Sequence, residues 1–389
     1  MRLPFPVSAL ERVLAPLEHA RGLPAAAYLD EGVFVFEREA LFSRSWTCVG
    51  RECELASPGE FILAEVAGEE IVVVRGPDLE LHALCNACRH RGSRLVDVER
   101  GRVAEFVCPY HGWRYELGGA LRAAPFMPAT FRREEHGLVP ARVDTLHGFV
   151  FVCLGPAEPL ASALRGVPEW LARPELGHLR LGRSVSYEVM ANWKLCVENF
   201  QESHHFPRVH PALERLTPSA GASTWPGNGS GSGAWLGGLM ELVPGVATVG
   251  VQAEASSSES ARVRPCIVPV EQRRRVADAL AFPVLLTSLQ PDYLLTYHLS
   301  PRGPRRTGVV AKTYFHAGAF SPALEAEDVF RFWDRVNAED RAICERQQQG
   351  VGSRAFGAAV YSLVEEGVLA FDQRVARVYL DAVRAEPSA

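Results

Sequence analysis

Four residues constrain this chain more than any other feature. They form two short pairs, Cys88-Arg-His90 and Cys108-Pro-Tyr-His111, with seventeen residues between them. Two thiols and two imidazoles at such spacing are metal donors. A tetrahedral zinc site is one reading, although zinc sites usually pair Cys with Cys and His with His. Here each pair is mixed. The other reading is a [2Fe–2S] cluster with unlike irons, one held by two thiolates and the other by two imidazoles. Two facing loops, each giving one Cys and one His, would supply that set. The chain has nine cysteines in 389 residues. An odd, scattered set of that kind does not suggest a disulfide framework.

The surroundings of the pairs set the fold class. Phe61–Val66, a turn at Ala67-Gly68 and Ile71–Arg75 read as a β-hairpin, and strand-like pieces continue to Gly148–Leu154. Residues 45–155 are therefore expected to form a small all-β domain. The first 44 residues read as a helical segment, with a helix over 8–20 capped by Ser8 and Glu11 and a second near Glu37–Phe42. A linker with a short helix is expected at Pro156–Glu175. Residues 156–389 then read as a second domain, with strands at Leu181–Met190, Tyr293–Leu299 and Thr307–Phe315 and helices at Glu327–Cys344 and Glu365–Val383. The class is α+β. Gly227–Gly233 and Ser256–Ser260 read as loop, a candidate lid.

Composition closes off several function classes. With 47% hydrophobic and 22% charged residues, the chain can bury a core. A net charge of −5 offers no basic face for nucleic acid or for an anionic membrane. No apolar run approaches the roughly 18 residues of a membrane span. Pro4, Pro6, Glu11 and Arg12 spoil a signal-peptide core, so a cytoplasmic location is expected.

A second constellation lies at Ala191–Pro211. Asn192 is a candidate helix cap, and Glu198, Glu202 and His205 fall at i, i+4 and i+7 on one helical face. Pro207 is expected to end or kink that helix and let His210 swing back beside His205. Two imidazoles and a distant carboxylate form the facial triad of a non-haem Fe(II) oxygenase.

Both constellations resemble one family. Cys88-Arg-His90-Arg-Gly92 and Cys108-Pro-Tyr-His111-Gly-Trp113 are similar to the two halves of a Rieske motif, C-x-H-x₁₇-C-x₂-H. Asn192-Trp-Lys-x₃-Glu198-Asn199-x₂-Glu202-x₂-His205-x₄-His210 resembles the catalytic helix of Rieske non-haem iron oxygenase α subunits. The resemblance implies Cys88, His90, Cys108 and His111 as cluster ligands and His205 and His210 as ligands of a mononuclear Fe(II). It places Asn199 and Glu202 in the catalytic machinery, with Glu202 bridging electron transfer from a cluster histidine, His90 or His111, of a neighbouring subunit in a head-to-tail homotrimer. Glu339-Asp340-x₃-Cys344-Glu345 resembles the family's stretch for the third ligand, and Asp340 is the choice, with Asp334 and Glu339 as alternates. His204 competes in principle, but its spacing to His210 is one residue too long. Cys85 has no role in the motif and reads as a buried strand cysteine. The implied fold is a Rieske β-domain plus a helix-grip catalytic domain, an antiparallel sheet with a cavity under its helices.

Together these sites imply an oxygenase that uses O₂ and external electrons. No G-x-G-x-x-G fingerprint follows a strand. Electrons from NADH or NADPH are therefore expected through a separate reductase (flavin/iron–sulfur) or ferredoxin. Glu202 and the Ser353–Phe371 stretch resemble the glycine betaine, choline and carnitine branch, which implies hydroxylation or N-dealkylation of a small amine. The alternative is hydroxylation of an aromatic or natural-product substrate. A third reading is an electron-transfer protein with an inactive iron site. Trp225, Trp235, Tyr297, Tyr314 and Phe206 are candidate cavity aromatics for a quaternary ammonium.

Overall fold

The computed structural model describes residues 3–225, 233–250, 264–319 and 326–385. The Gly227-rich and Ser256–Ser260 segments, expected as loop, lie outside them except for Gly233. The chain divides into two compact units, one of residues 42–163 and one of residues 1–41 with 164–389.

The N-terminal segment carries α1 (Val7–Val13), α2 (Ala26–Leu29) and α3 (Glu31–Ala40). The first helix is shorter than expected and starts after Pro6, with no side-chain cap from Ser8 or Glu11. The second expected helix begins six residues earlier than Glu37, because Asp30 caps it by accepting from the Val33 N–H.

In residues 42–163 the strands are β1 (Thr47–Arg51), β2 (Glu60–Val66), β3 (Glu69–Arg75), β4 (Leu81–Cys85), β5 (Arg100–Arg102), β6 (Phe106–Val107), β7 (Arg114–Tyr115), β8 (Leu121–Ala123), β9 (Pro140–Leu146) and β10 (Phe149–Cys153). Helix α4 (Leu160–Ala163) closes the unit. One antiparallel sheet has the order β1-β10-β9-β4-β3-β2-β5, and β6-β7-β8 form a small second one. The β2–β3 hairpin turns through Ala67 and Gly68, both at positive φ, the geometry whose twist matches paired strands. Strand β3 is apolar on both faces. Ile71 and Val73 join Val49, Ile62 and Val150 on one side, while Val72 and Val74 join Cys88, Cys108, Trp113 and Tyr115 on the other. The second core therefore holds the two Cys–His loops against the main sheet.

The larger unit contains α5 (Trp193–Phe200), α6 (Phe206–Val209), α7 (Pro211–Leu216), α8 (Glu327–Val351) and α9 (Glu366–Ala385). Its sheet is built from β11 (Arg180–Val189), β12 (Ser223–Thr224), β13 (Trp235–Glu241), β14 (Arg275–Ala281), β15 (Leu285–Leu289), β16 (Tyr293–Gly303) and β17 (Arg306–Phe315). The order β11-β17-β16-β15-β14-β13-β12 is antiparallel throughout. Helices α5, α8 and α9 pack on this sheet, and α5 packs on both α8 and α9. The α+β class with antiparallel sheets holds. No described helix is long and apolar enough to cross a membrane.

Candidate metal centres and cavity

The two Cys–His loops are built alike. In the first, Cys88 N–H donates to Ser93 O (2.8 Å) and Gly92 N–H to Cys88 O (2.9 Å). In the second, Cys108 N–H donates to Trp113 O (2.8 Å) and Gly112 N–H to Cys108 O (3.0 Å). Each loop closes with a glycine at φ near +70°, Gly92 at 75° and Gly112 at 70°. Added Cβ atoms there would meet nothing within 4 Å, so the backbone angle, not space, calls for glycine. Equal closures with unequal Cys-to-His spacing bring the rings of His90 and His111 to 4.7 Å between centroids.

Burial separates the donors. Cys88 and Cys108 are 3% and 2% exposed, whereas both histidines are exposed. Tyr115 Oη lies 3.2 Å from Cys88 Sγ and accepts from the Arg89 N–H. Trp113 stacks on His90 at 4.8 Å. Burial pushes the Cys108 thiol up, but hydrogen bonds from the N–H groups of Tyr110 and His111 and from the Cys88 and Ser93 side chains together outweigh it and bring the thiol below its ordinary value. Two buried sulfurs in contact and two outer imidazoles are the donor set of a mixed-ligand [2Fe–2S] cluster, and the residues present fit it. Cys85, expected to be buried, is half-buried on β4 and outside this set.

The second centre corrects the expected helix. Helix α5 starts at its Asn192 cap but ends at Phe200, so Glu202 and His205 do not share a helical face with Glu198. Pro207 does not end a helix either. It sits in the first turn of α6, and Pro211 likewise starts α7. His210, at the junction, has non-helical φ and ψ (−122°, 61°). This break places its ring 5.0 Å from that of His205.

Glu202 holds His205 twice. Its Oε2 accepts from the His205 N–H (3.1 Å) and its Oε1 lies 2.6 Å from Nδ1. Glu339 holds the His210 ring once, with Oε2 at 2.7 Å from Nδ1. A carboxylate only accepts, so each Nδ1 carries a proton and each Nε2 faces inward. Both Nε2 atoms converge on Asp340 Oδ1, at 3.7 Å from His205 and 2.8 Å from His210. Ligands about 2.1 Å from an ion at right angles would be ~3 Å apart, so His205, His210 and Asp340 fit one octahedral metal. Asn199 Nδ2 donates to the same oxygen of Asp340 at 2.6 Å. Burial pulls the His210 imidazole down, but Asp340 and Glu339 outweigh it and raise it.

Asp340 reaches this point from the apolar stripe of α8. Val329, Phe332, Val336, Cys344, Gln348 and Val351 are buried, and Asp340 takes the position four residues after Val336 and four before Cys344. The alternates lie elsewhere. Asp334 pairs with Arg183 at 2.9 Å, and Glu339 backs His210. His204 is exposed and outside the three-residue cluster.

The three residues line a cavity of about 610 Å³. Of the expected aromatics, Tyr297 and Phe206 line it. Trp225 packs against Trp170 (5.3 Å), Trp235 donates from Nε1 to Leu164 O, and Tyr314 is buried, all away from the lining. Trp333, Gln201, Gln290 and Asp278 line it unforeseen. For Asp278 the available signal was an acid at an inward position of an alternating strand, between Val276 and Leu280.

Comparison with known proteins supplies the relatives. The Rieske [2Fe-2S] domain family matches residues 45–142, and the ring hydroxylating alpha subunit (catalytic domain) family matches residues 176–381. The glycine betaine monooxygenase oxygenase subunit of Chromohalobacter salexigens is 30% identical, over 94% of this chain and 87% of that one. The carnitine monooxygenase oxygenase subunit of Escherichia coli (strain K12) is 36% identical over 52% of this chain and 56% of its own. Among solved structures, a quaternary ammonium Rieske monooxygenase shares the fold with a TM-score of 0.81 at 24% identity, over 96% of this chain and 98% of that one.

Proposed function

The chain belongs to the Rieske-type ring-hydroxylating oxygenase α subunits, and from that membership we propose that it oxidises the N-methyl group of a small quaternary or related amine. It is a Rieske non-haem iron oxygenase whose cofactors are a [2Fe–2S] cluster and a mononuclear iron. The observation that carries the proposal is the convergence of His205, His210 and Asp340 on one point of a cavity, in a chain whose relatives are betaine and carnitine monooxygenases.

In this reading Cys88, His90, Cys108 and His111 hold the cluster, and His205, His210 and Asp340 hold the iron. The bound cofactors supply single electrons and O₂ activation. The protein does the rest. Glu202 and Glu339 fix the histidine tautomers, and Asn199 orients Asp340. Phe206, Tyr297 and Trp333 keep water from the reacting carbon. One oxygen atom enters the methyl C–H bond and the other leaves as water, with two electrons and two protons consumed. The N–CH₂OH product then releases formaldehyde and the amine with one methyl fewer. Family members draw electrons from a reductase or ferredoxin and form oligomers; here the donor is a separate flavin/iron–sulfur protein and the assembly a trimer.

The test is a single turnover. Chemically reduced, iron-loaded protein is exposed to O₂ with glycine betaine, choline or carnitine, and formaldehyde is measured. Formaldehyde from any of them is the expected result. None from a protein with a full Rieske spectrum would move the function to the second reading, an aromatic or natural-product hydroxylase. The cavity volume of about 610 Å³, roomy for a small amine, is the observation behind that alternative.

Glu202 has a further role to test, passing electrons from a neighbour's cluster histidine to His205. Glu202→Gln keeps the shape but loses the charge. Reductase-driven turnover, measured with Fe(II) saturating, is expected to fall roughly 10- to 100-fold with the Rieske cluster retained. Unchanged turnover would remove Glu202 from the electron path.

A further inference from the structure

Resting on the amine-oxidising reading, we infer that Asp278 is the anchor for the substrate's positive charge, set in the sheet wall of the cavity.

The lining contains four acids, and three are already engaged. Glu202 holds His205, Asp340 faces both histidines, and Glu366 accepts from the Thr224 hydroxyl on an exposed rim. Asp278, on β14, has no ion-pair partner among the described residues, and its Oδ1 has no hydrogen-bond partner. Among the described residues, Arg341 is the one Lys or Arg in the lining. It lies exposed on α8 beside Tyr187, on the far strand β11, four strands from β14.

The neighbours of Asp278 reinforce the need for a cation. Ser288 stands opposite it on β15. Gln290, 1% exposed, donates from Nε2 to Ser288 Oγ at 2.9 Å, which leaves the Ser288 hydroxyl to donate to Asp278. After that chain is formed, the unpartnered atoms on this wall are Asp278 Oδ1 and Gln290 Oε1, both acceptors. Two unmatched acceptors beside apolar Val276, Leu286 and Met240 are costly to bury. A quaternary ammonium has no N–H to donate, but its positive charge, spread over the methyl groups, offsets both acceptors electrostatically. Burial, opposed by the Ser288 hydrogen bond, lifts the Asp278 carboxyl to about 7, the behaviour of an acid lacking its counter-charge.

The position suits the chemistry. Tyr297 lines the same cavity as Asp278 and Asp340, and the register Asp278–Ser288–Leu295 puts Tyr297, two residues on from Leu295, on the sheet face that carries Asp278. An ammonium seated on Asp278 has Tyr297 available for cation–π contact and an N-methyl or neighbouring carbon toward His205, His210 and Asp340.

The test reads binding, not turnover. Anaerobic calorimetry on the as-isolated protein compares choline with its neutral isostere, in which a quaternary carbon replaces the nitrogen. Wild type is expected to prefer the cation. Asp278→Asn is expected to weaken choline at least roughly tenfold and leave the isostere unchanged. Asp278→Ala gives the same reading if the amide variant fails to fold. Survival of the cation preference in a folded variant, or absence of any preference in wild type, overturns the assignment. Cation preference without formaldehyde would sink the proposed function and leave the anchor standing. Formaldehyde without an Asp278-dependent preference does the reverse.

Discussion

Asp340→Ala is expected to abolish product formation while leaving the Rieske spectrum intact. The carboxylate is the point on which both inward imidazole nitrogens and the Asn199 amide converge. Without it the site offers two neutral donors, too few to hold ferrous iron against water in a 2-His-1-carboxylate geometry. Iron content should fall from about three to about two atoms per chain, the loss confined to the mononuclear centre. Neighbouring acids give graded controls. Glu339→Gln keeps the three donors but loosens His210 and should cost roughly 10- to 100-fold in iron affinity. Asp334→Asn breaks a half-exposed pair with Arg183 and should leave iron and turnover unchanged, because such pairs contribute only about 0–1 kcal/mol. Full iron content in Asp340→Ala would remove it from the ligand set. Loss of iron in Asp334→Asn would put the third ligand one turn and a half away.

The contrast among these three acids shows what was legible in the residues. The two Cys–His pairs were readable because their spacing belongs to loops whose closure is local: each Gly-terminated turn depends on five consecutive residues. Strands β3 and β17 were readable from their apolar runs, and β11 from its alternation of Leu181, Val185, Tyr187 and Val189 with polar residues. The helix over 198–205 was misjudged because periodicity cannot see a terminus that lacks its own signal. Gln201 is no obvious stop, and the two prolines begin short helices that follow it. The cavity wall was harder still. Asp278, Ser288 and Gln290 meet only through β-sheet register, and Trp333 reaches the cavity from a helix more than forty residues away in sequence from that wall. Such contacts are long-range, and no local pattern encodes them. Tyr297 and Phe206 were placed correctly, but Trp235 and Tyr314 were not, since they satisfy the same alternation while facing other parts of the core.

The second large effect concerns stability. Lys194→Met is expected to destabilise the larger unit by about 3–5 kcal/mol, because it strands a buried carboxylate. Lys194 and Glu37 are 0% and 1% exposed at the side chain, with Nζ 2.5 Å from Oε1. Glu37 also accepts from the Trp193 indole (3.0 Å) and from the Tyr379 hydroxyl. The pair therefore ties α3 to α5 and α9, and α5 is the helix that delivers Asn199 to Asp340. Lys194 serves two more acids. Burial pushes Glu198 and Asp372 up, Asp372 to about 6, and the Lys194 charge opposes that push in both. Removing the ammonium leaves three carboxyl groups with no cation among them, and the melting temperature should drop by roughly 10 °C. Glu37→Gln should cost less, since a buried lysine can shed its proton and the amide still meets Trp193 and Tyr379. The double variant, Glu37→Gln with Lys194→Met, should be more stable than Lys194→Met alone, because the stranded charge is gone. A double variant no better than the single one would mean that the two residues act separately, and the link from α3 through α5 to the iron site would have to run through packing alone.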